Sequence, residues 1–194
     1  MQMARLKDFM PIEPPPPVPN YQGALVWYML RVAPMSEIRA AERLKVGNVL
    51  VYLPTFSKMV RRRGRLHFHR LYAAITGMLF LPEEMLDVPN RRALFEFARI
   101  QDFVRVGANP ARLTKQDIEL VRIMEAKLNL PQAAKGVLFK VGQKVTFTDA
   151  LFGANWVSGI IFAIDGPTRI GVEVPGLFGC GAKVWVPESE IEAM

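Results

Sequence analysis

The chain has 194 residues, a formal net charge of +7, and a composition that is 51% hydrophobic and 22% charged. These values are typical of a globular protein and exclude a largely disordered one, and the length fits one medium domain or two small ones. Because no uncharged apolar run reaches the roughly 20 residues of a bilayer-spanning helix, we expect no membrane segment. We also expect no signal peptide, since the first ten residues lack an apolar core. The single cysteine excludes an internal disulfide and is consistent with a reducing cytoplasm.

The charge is divided unevenly along the chain. Residues 1–135 carry 21 Lys/Arg and 12 Asp/Glu, a net charge of +9, whereas residues 136–194 carry 4 and 6, a net charge of −2. The first part therefore suits a polyanionic partner and the second part does not. This split predicts two modules with different partners.

The first 24 residues form a proline-rich leader. The run "PIEPPPPVP" at 11–19 cannot form a helix or an inner strand, because proline lacks the N–H group and fixes φ. The composition favours polyproline II, either as a stiff leader or as a ligand for an SH3-type domain.

Residues 25–130 alternate between strand-like and helix-like patterns. Runs rich in β-branched and aromatic residues predict strands at 25–33, 48–54, 73–82 and 103–108. Helices are predicted over 36–47, with Gly47 left-handed, over 89–99, and from a capping box of Thr114 and Asp117 onward. The apolar stripes expected to face the core are Ile38, Ala41 and Leu44, then Leu94 and Phe97, then Ile118, Val121, Met124 and Leu128. Together these elements predict a small α/β sandwich with a largely antiparallel sheet.

After a linker at 131–138, the pattern changes to short strands separated by glycine-rich turns. Strands are predicted at 143–148, 156–164, 169–174 and 182–187. Four or five such strands in under 60 residues are typical of a small SH3-like β-barrel, here over 139–194. The predicted fold class is therefore α+β, a sandwich followed by a barrel.

The order of several motifs resembles the NusG family of transcription elongation and antitermination factors. The amino-terminal part carries "WYMLRVAP", "SEIRAAERL", a basic hairpin "KMVRRRGRLHFHR", "ITGMLFL" and "RIQDFVRVG". The carboxy-terminal part carries "FKVGQKVTFTDALFGANWVSGIIFAI" and "GLFGCGAKVWVPESEIE", which resemble a KOW domain. "HFHRLYAAITGMLFLPEE" and "FVRVGANPA" look closer to the specialised, operon-specific branch typified by RfaH.

The resemblance implies an NGN domain at 25–130 that binds the clamp helices of RNA polymerase, increases processivity and suppresses pausing. It implies polymerase contacts at Ile75, Met78, Phe80 and Val106, although alternate strand residues face opposite sides, so each of them could fill the core instead. The basic hairpin is expected to contact upstream or non-template DNA through Arg61, Arg62, Arg63, Arg65 and Arg70, with Arg99 as a further contact. Phe152 and Phe178 are the expected contacts of the KOW domain with Rho or a small-subunit ribosomal protein.

The sequence departs from the family pattern at several positions. Thr76-Gly77-Met78 replaces a motif that usually ends in tyrosine, and Cys180 stands where arginine is common. The serine- and threonine-rich patch with which RfaH contacts the polymerase gate loop has no counterpart. These departures leave the clamp, gate and KOW contacts open.

Other chemistries are less well supported by the residues. His67 and His69 share a strand face, but structural zinc needs four ligands and no others stand at ligand spacing, so we expect no metal and no cofactor. Cys180 has no histidine in its module, and no nucleotide-binding motif or catalytic triad is present, so we expect no enzyme. Three functions remain: a polymerase-bound factor in the cytoplasm, either element-specific or a general NusG acting with Rho; an RNA-binding KOW protein of ribosomal type; and an enzyme of unknown type.

Overall fold

The protein contains two main antiparallel sheets, one formed by residues that precede 131–138 in the sequence and the other by residues that follow them. The structure is a computed structural model and describes residues 24–61, 67–130, 139–148, 158–166 and 168–194. We call residues 24–130 the N-terminal half and residues 139–194 the C-terminal half. The proline-rich leader, the tip of the basic hairpin, the predicted linker and Phe152 lie outside the described residues.

The N-terminal half contains eight strands and three helices among its described residues. In chain order these are β1 (Val26–Val32), α1 (Glu37–Val46), β2 (Thr55–Arg61), β3 (His67–Ala73), β4 (Met78–Pro82), α2 (Arg91–Ala98), β5 (Ile100–Phe103), β6 (Arg105–Val106), β7 (Asn109–Pro110), β8 (Arg112–Thr114) and α3 (Lys115–Asn129). Strand β1 is central, with β4 on one side and β5 and β8 on the other, all antiparallel. Strands β2 and β3 form a separate two-stranded ribbon.

The two faces of the central sheet are covered by different elements because strand residues alternate in direction. Leu30 of β1 and Leu79 and Leu81 of β4 pack against α1 and α2. Met29 and Phe80, which are paired across the same two strands, face the opposite side. The second face is therefore the one available to α3 and to the C-terminal half.

Helix α3 follows its sequence signals closely. The Thr114 hydroxyl accepts from the Asp117 N–H at 3.2 Å and the Asp117 carboxylate accepts from the Thr114 N–H at 2.7 Å, which completes the predicted capping box. All four residues of the predicted stripe are buried: Ile118, Val121, Met124 and Leu128. Local chemistry alone accounts for this element.

Three of the predicted strands are wrong in extent. The strand predicted at 103–108 is replaced by the end of β5 at Phe103 and the two-residue strand β6, which a turn follows at 107–108. Residues 48–54 form no regular strand; only Tyr52 joins the sheet, through a bridge to Phe80. The predicted strand at 73–82 is two strands of different sheets, because β3 of the ribbon ends at Ala73 and β4 of the central sheet begins at Met78. Gly77 has a φ of 76° between them, a left-handed conformation that suits glycine and turns the chain.

Two predictions about the helices, for Gly47 and Phe97, are also wrong. Gly47 has a φ of −85°, and Asn48 takes the left-handed conformation instead. Phe97, predicted to face the core, is 55% exposed, whereas Leu94 packs against the sheet as expected. An amphipathic pattern limits the buried face to a sector of the helix, and it does not fix which residue at the edge of that sector is covered.

The C-terminal half is a five-stranded antiparallel sheet. Its strands are β9 (Lys144–Phe147), β10 (Ser158–Asp165), β11 (Arg169–Val174), β12 (Ala182–Pro187) and β13 (Ile191–Ala193), in the order β12-β11-β10-β9-β13. The strands predicted at 169–174 and 182–187 are confirmed to the residue. Closure of this sheet into an SH3-like barrel stays a prediction.

One hydrophobic cluster extends through both halves. It joins Trp27, Phe80 and Met124 of the N-terminal half to Val172 and Val184 of the C-terminal half, all of them fully or almost fully buried. Apolar burial is the main stabilising contribution to such a contact. The two halves therefore pack as one body in this arrangement.

Candidate functional site

The predicted polymerase-binding residues lie along the second face of the central sheet and its margin. Ile75 and Phe80 are 0% exposed and Met78 is 8% exposed, whereas Val106 is 48% exposed. Phe80 packs beside the Tyr52 ring, with centroids 5.9 Å apart. Three of the four residues are thus buried, and Val106 is the one that solvent reaches.

The C-terminal half covers this face through backbone pairing. The Thr76 N–H donates to the Lys183 carbonyl at 2.9 Å, and the Trp185 N–H donates to the Ala74 carbonyl at 2.8 Å. Ile75 lies between them in an antiparallel bridge with Val184. Residues 74–76 therefore extend the C-terminal sheet by one short strand along the outer edge of β12.

Aromatic side chains complete the cover. The Phe178 ring meets the Phe80 ring edge-on, with centroids 6.1 Å apart. The Trp185 ring lies 6.0 Å from the Phe56 ring at the base of the β2–β3 ribbon. Val106 lies close to the same contact. The Val106 Cγ2 is 3.1 Å from the position that a Cβ on Gly179 would occupy. The predicted polymerase contacts and Phe178, the predicted partner contact of the C-terminal half, share one interface.

The ribbon carries the predicted nucleic-acid contacts. Arg70 of β3 is exposed, and its guanidinium lies 5.4 Å from the centroid of the Tyr72 ring. Arg61 ends β2, and Arg62, Arg63 and Arg65 lie outside the described residues. Arg99 follows α2 on the opposite face of the sheet. The structure therefore does not group Arg99 with the ribbon.

A partly buried polar network, which was not predicted from the sequence, fixes the start of the ribbon on α3. The Glu125 carboxylate accepts from the Tyr52 hydroxyl and from the Thr55 N–H, both at 2.7 Å. The Asn129 side chain donates to the Thr55 carbonyl at 2.8 Å and accepts from the Ser57 N–H at 3.2 Å. The available signal was the spacing of four residues between Glu125 and Asn129 beside the apolar stripe of α3.

Burial governs the titration of this network. Desolvation raises the pKa of the Glu125 carboxyl, an effect that the bonds from Thr55 and Tyr52 partly offset. Desolvation, with the neighbouring Glu125, also raises the pKa of the Tyr52 hydroxyl above its ordinary value. The tyrosine therefore stays a neutral donor, and the pair has a structural rather than a catalytic geometry.

Ion pairs between the halves follow the charge split of the sequence. Lys58 on the ribbon pairs with Asp165 at the end of β10, and Lys127 on α3 pairs with Glu190 at 2.8 Å. In both pairs the N-terminal half supplies the cation. The part of the chain with a net charge of +9 therefore pairs directly with the part that has a net charge of −2. This pairing was not predicted from the sequence.

Arg169 adds a contact in which the C-terminal half, and not the N-terminal half, supplies the cation. Its guanidinium donates to the Ser57 carbonyl at 3.0 Å and lies 5.0 Å from the centroid of the Phe56 ring. Burial lowers the pKa of this side chain, with Asp165 acting against the shift. The base of the ribbon is thus held by the C-terminal half through charged, polar and aromatic contacts.

Of the residues considered for other chemistries, the structure describes the side chains of His69 and Cys180. Among the described residues, no three His, Cys, Asp or Glu side chains come together as a metal site would require. Burial raises the pKa of the Cys180 thiol, and its Sγ donates weakly to the Leu177 and Gly181 carbonyls at 3.6 Å. No helix in the described ranges is long and apolar enough to cross a membrane.

A family model described as "Transcription termination factor nusG" matches residues 25–122, half of the chain. The chain belongs to the NusG family. This assigns the protein to a family of transcription factors and agrees with the resemblance on which the sequence analysis relied. The match lies entirely within the N-terminal half, which carries the covered sheet face and the basic ribbon.

The chain is similar to two solved structures at low identity. One, described as "Domain interaction in Thermotoga maritima NusG", is 18% identical, covers 87% of this chain and 96% of its own, and has a TM-score of 0.46. The other, the MjSpt4:Spt5 complex in conformation A, is 11% identical, covers 87% of this chain and 97% of its own, and has a TM-score of 0.28. A comparison with curated proteins finds no match. At these TM-scores the NusG-family assignment depends on the sequence match alone.

Proposed function

We propose that this NusG-family protein binds RNA polymerase during elongation and promotes processivity and antitermination, at one operon or sequence element rather than at all of them. The observation that carries the proposal is the apolar sheet face formed by Ile75, Met78 and Phe80, with Val106 at its margin. This face is covered by a module that begins more than 55 residues further along the chain. This apolar face would become a docking surface when the covering module moves away.

The proposed partner of this face is the clamp-helix region of the polymerase. Binding there requires the C-terminal half to move away, because the same face cannot contact both. Phe178 would be released by the same movement. The C-terminal half would then be free to bind Rho or a small-subunit ribosomal protein through Phe178 and Phe152.

The ribbon is proposed to contact upstream or non-template DNA. Arg70 in the middle of the ribbon, and Arg61, Arg62, Arg63 and Arg65 further along the hairpin, supply the positive charge that phosphate contacts need. Arg99, on the opposite face, would contact a different segment of nucleic acid. A factor with these partners works on the nucleoid in the cytoplasm, and no catalytic step is proposed.

Binding to an assembled elongation complex tests the proposal. Val106→Asp places a charge on the one predicted contact that is exposed, so the fold should survive while affinity falls about 10-fold or more. Phe97→Asp is the matched control, because Phe97 is equally exposed on the opposite face of the sheet. Equal affinities of the two variants for the complex would reject the proposed surface.

The second candidate is termination together with Rho, which the description of the matching family favours. Transcription in vitro on templates with and without a Rho-dependent terminator separates the two functions. Increased readthrough supports antitermination, and earlier release that requires Rho supports termination. The ribosomal alternative has less support, since the C-terminal part that would bind RNA has a net charge of −2.

A further inference from the structure

Two cations lie directly opposite each other in the middle of the ribbon. Lys58 of β2 is the register partner of Arg70 of β3 in an antiparallel pair. Like charges in this position repel each other and destabilise the pairing of the strands. The same ribbon face carries Phe56 and Tyr72 two residues away, whose rings stack with centroids 5.7 Å apart. The cations therefore project beside a packed aromatic pair and need a counter-charge.

That counter-charge comes from the other half of the protein. Lys58 is ion-paired with Asp165, and their side chains are 38% and 20% exposed. In the described part of the chain, no acidic side chain lies within ion-pair distance of Arg70, which instead lies over the Tyr72 ring. Within the same described part, Asp165 is the carboxylate that pairs with Lys58, from which it is 107 positions away in the sequence.

The position of Asp165 is itself fixed against the ribbon. Asp165 ends β10 and is the register partner of Arg169, whose guanidinium donates to the Ser57 carbonyl at 3.0 Å. A carboxylate and a phosphodiester are both anionic oxygen acceptors that bind lysine and arginine in the same way. Asp165 therefore occupies the place that an external anion would take on the ribbon.

We infer that Lys58 and Arg70 form a binding site for the phosphodiester backbone of a nucleic acid, and that Asp165 occupies this site as an internal competitor while the two halves are packed together. Nucleic acid binding and separation of the halves are consequently coupled. The inference rests on the proposed contact of the ribbon with nucleic acid and adds two things to it, the residue that competes and the structural change that binding produces.

The coupling is reciprocal and moderate in size. If phosphate binds better when Asp165 has left, then nucleic acid favours the separated state, and separation raises the affinity for nucleic acid by the same factor. A partly exposed ion pair contributes little, so one displaced carboxylate should change the equilibrium only a few-fold. The remaining contacts, such as Phe56 with Trp185 and Lys127 with Glu190, still hold the halves together.

Cys180 provides a reporter of separation without any engineering. It is the single cysteine of the chain, and it packs, partly buried, against the cluster that joins the two halves. A maleimide should label it faster whenever the halves separate. The experiment uses the full chain without polymerase, in about 50 mM NaCl, with 20-nucleotide duplex DNA, single-stranded DNA or single-stranded RNA as the probe.

The expected result is an increase of a few-fold in the labelling rate at saturating nucleic acid. Sodium chloride or inorganic phosphate at the same ionic strength should produce less than half of this increase. Comparison of the three probes identifies which backbone is preferred. An unchanged labelling rate with every nucleic acid, or an equal increase with inorganic phosphate, would overturn the inference.

Charge variants test the competition itself. Asp165→Asn removes the competitor, and Glu173→Gln is the matched control, since it also raises the net charge by one but its partner Lys183, at 3.7 Å, belongs to the same half. Asp165→Asn should bind nucleic acid several-fold more tightly than Glu173→Gln, as measured by fluorescence anisotropy. Its labelling rate should also respond less to nucleic acid. Equal affinities of the two variants, with the fold confirmed by circular dichroism, would refute the competition.

Lys58→Gln completes the set and keeps the inference testable if Asp165→Asn is unstable. This variant should lose both affinity and the response of Cys180 labelling, whereas Lys144→Gln, which loses one exposed cation in the C-terminal half, should lose neither. Because polymerase is absent, failure here leaves the polymerase proposal intact. Loss of polymerase binding by Val106→Asp, in turn, does not bear on the ribbon.

Discussion

The ring of Phe178 closes over the ring of Phe80, edge to face, with centroids 6.1 Å apart and planes at 81°. One ring belongs to a glycine-flanked turn of the C-terminal half and the other to β4 of the N-terminal sheet. Phe178 has a φ of 55°, in the left-handed region that residues with a Cβ rarely adopt unless their surroundings hold them there. The contact is therefore specific, and it lies over the surface proposed to bind polymerase.

Removal of the Phe178 ring should favour the separated state. Phe178→Ala loses the aromatic contact and leaves the backbone strain unchanged, which lowers the free energy that joins the halves by about 1–2 kcal/mol. We expect affinity for an elongation complex to rise about 3- to 10-fold, together with a larger radius of gyration in small-angle scattering. Phe97→Ala, on the opposite face, is the control and should change neither quantity. A compact Phe178→Ala variant with unchanged affinity would contradict the covering role.

The Glu125 network should contribute strongly to stability. Glu125→Ala leaves the Tyr52 hydroxyl and the Thr55 N–H without their acceptor, so the free energy of unfolding should fall by about 2–4 kcal/mol. Glu125→Gln retains an acceptor oxygen and should cost less than about 1.5 kcal/mol. Urea unfolding measures both. Similar losses in the two variants would mean that the packing of the side chain, and not its hydrogen bonds, stabilises this region.

The same carboxyl should leave a signature in the pH dependence of stability. Its pKa in the folded protein lies above the ordinary 4.5, so the folded state holds this proton more tightly than the unfolded state does. The stabilisation is complete below pH 4.5 and is lost as the pH rises through the raised pKa. The difference in unfolding free energy between the wild type and Glu125→Gln should therefore fall across this range. A difference that stays constant with pH would contradict the raised pKa.

Gly159 should tolerate no side chain. A Cβ at this position would lie 2.4 Å from the Val172 Cγ1 and 2.8 Å from the Glu173 carbonyl oxygen, and the second atom is backbone that cannot move aside. Gly159→Ala should destabilise the C-terminal half by about 1–3 kcal/mol in urea unfolding. Ser158→Ala, at the exposed neighbouring position, is the control and should change stability by less than about 0.5 kcal/mol. Equal stability of the two variants would show that the strands spread to admit the methyl group.

Elements fixed by local chemistry could be predicted from the sequence. Helix α3 has its capping box and buried stripe within 15 residues, and both are found as predicted. Strands such as β11 and β12 were also placed correctly, because alternating β-branched residues and glycine turns define their ends. Residues 48–54 have the same composition but find only one bridge, at Tyr52, since a strand also needs a partner that composition does not reveal.

The candidate site was less predictable because distant contacts form it. The sequence shows that Ile75 and Phe80 are apolar, but not that residues from 178 to 185 cover them. The charge split was visible as +9 and −2, and two modules with separate partners were inferred from it. The pairing of Lys58 with Asp165 shows that one of those partners is the protein itself.

The short strand at 74–76 has a consequence for the protein in solution. The Thr76 N–H and the Ala74 carbonyl make backbone hydrogen bonds with the outer edge of β12. An uncovered edge of this kind offers unpaired backbone groups to any other strand. When the halves separate without a partner nearby, the matching segment of a second copy is the nearest substitute. If the halves separate as proposed, this open edge would favour exchanged dimers, whereas in the packed form residues 74–76 already occupy it.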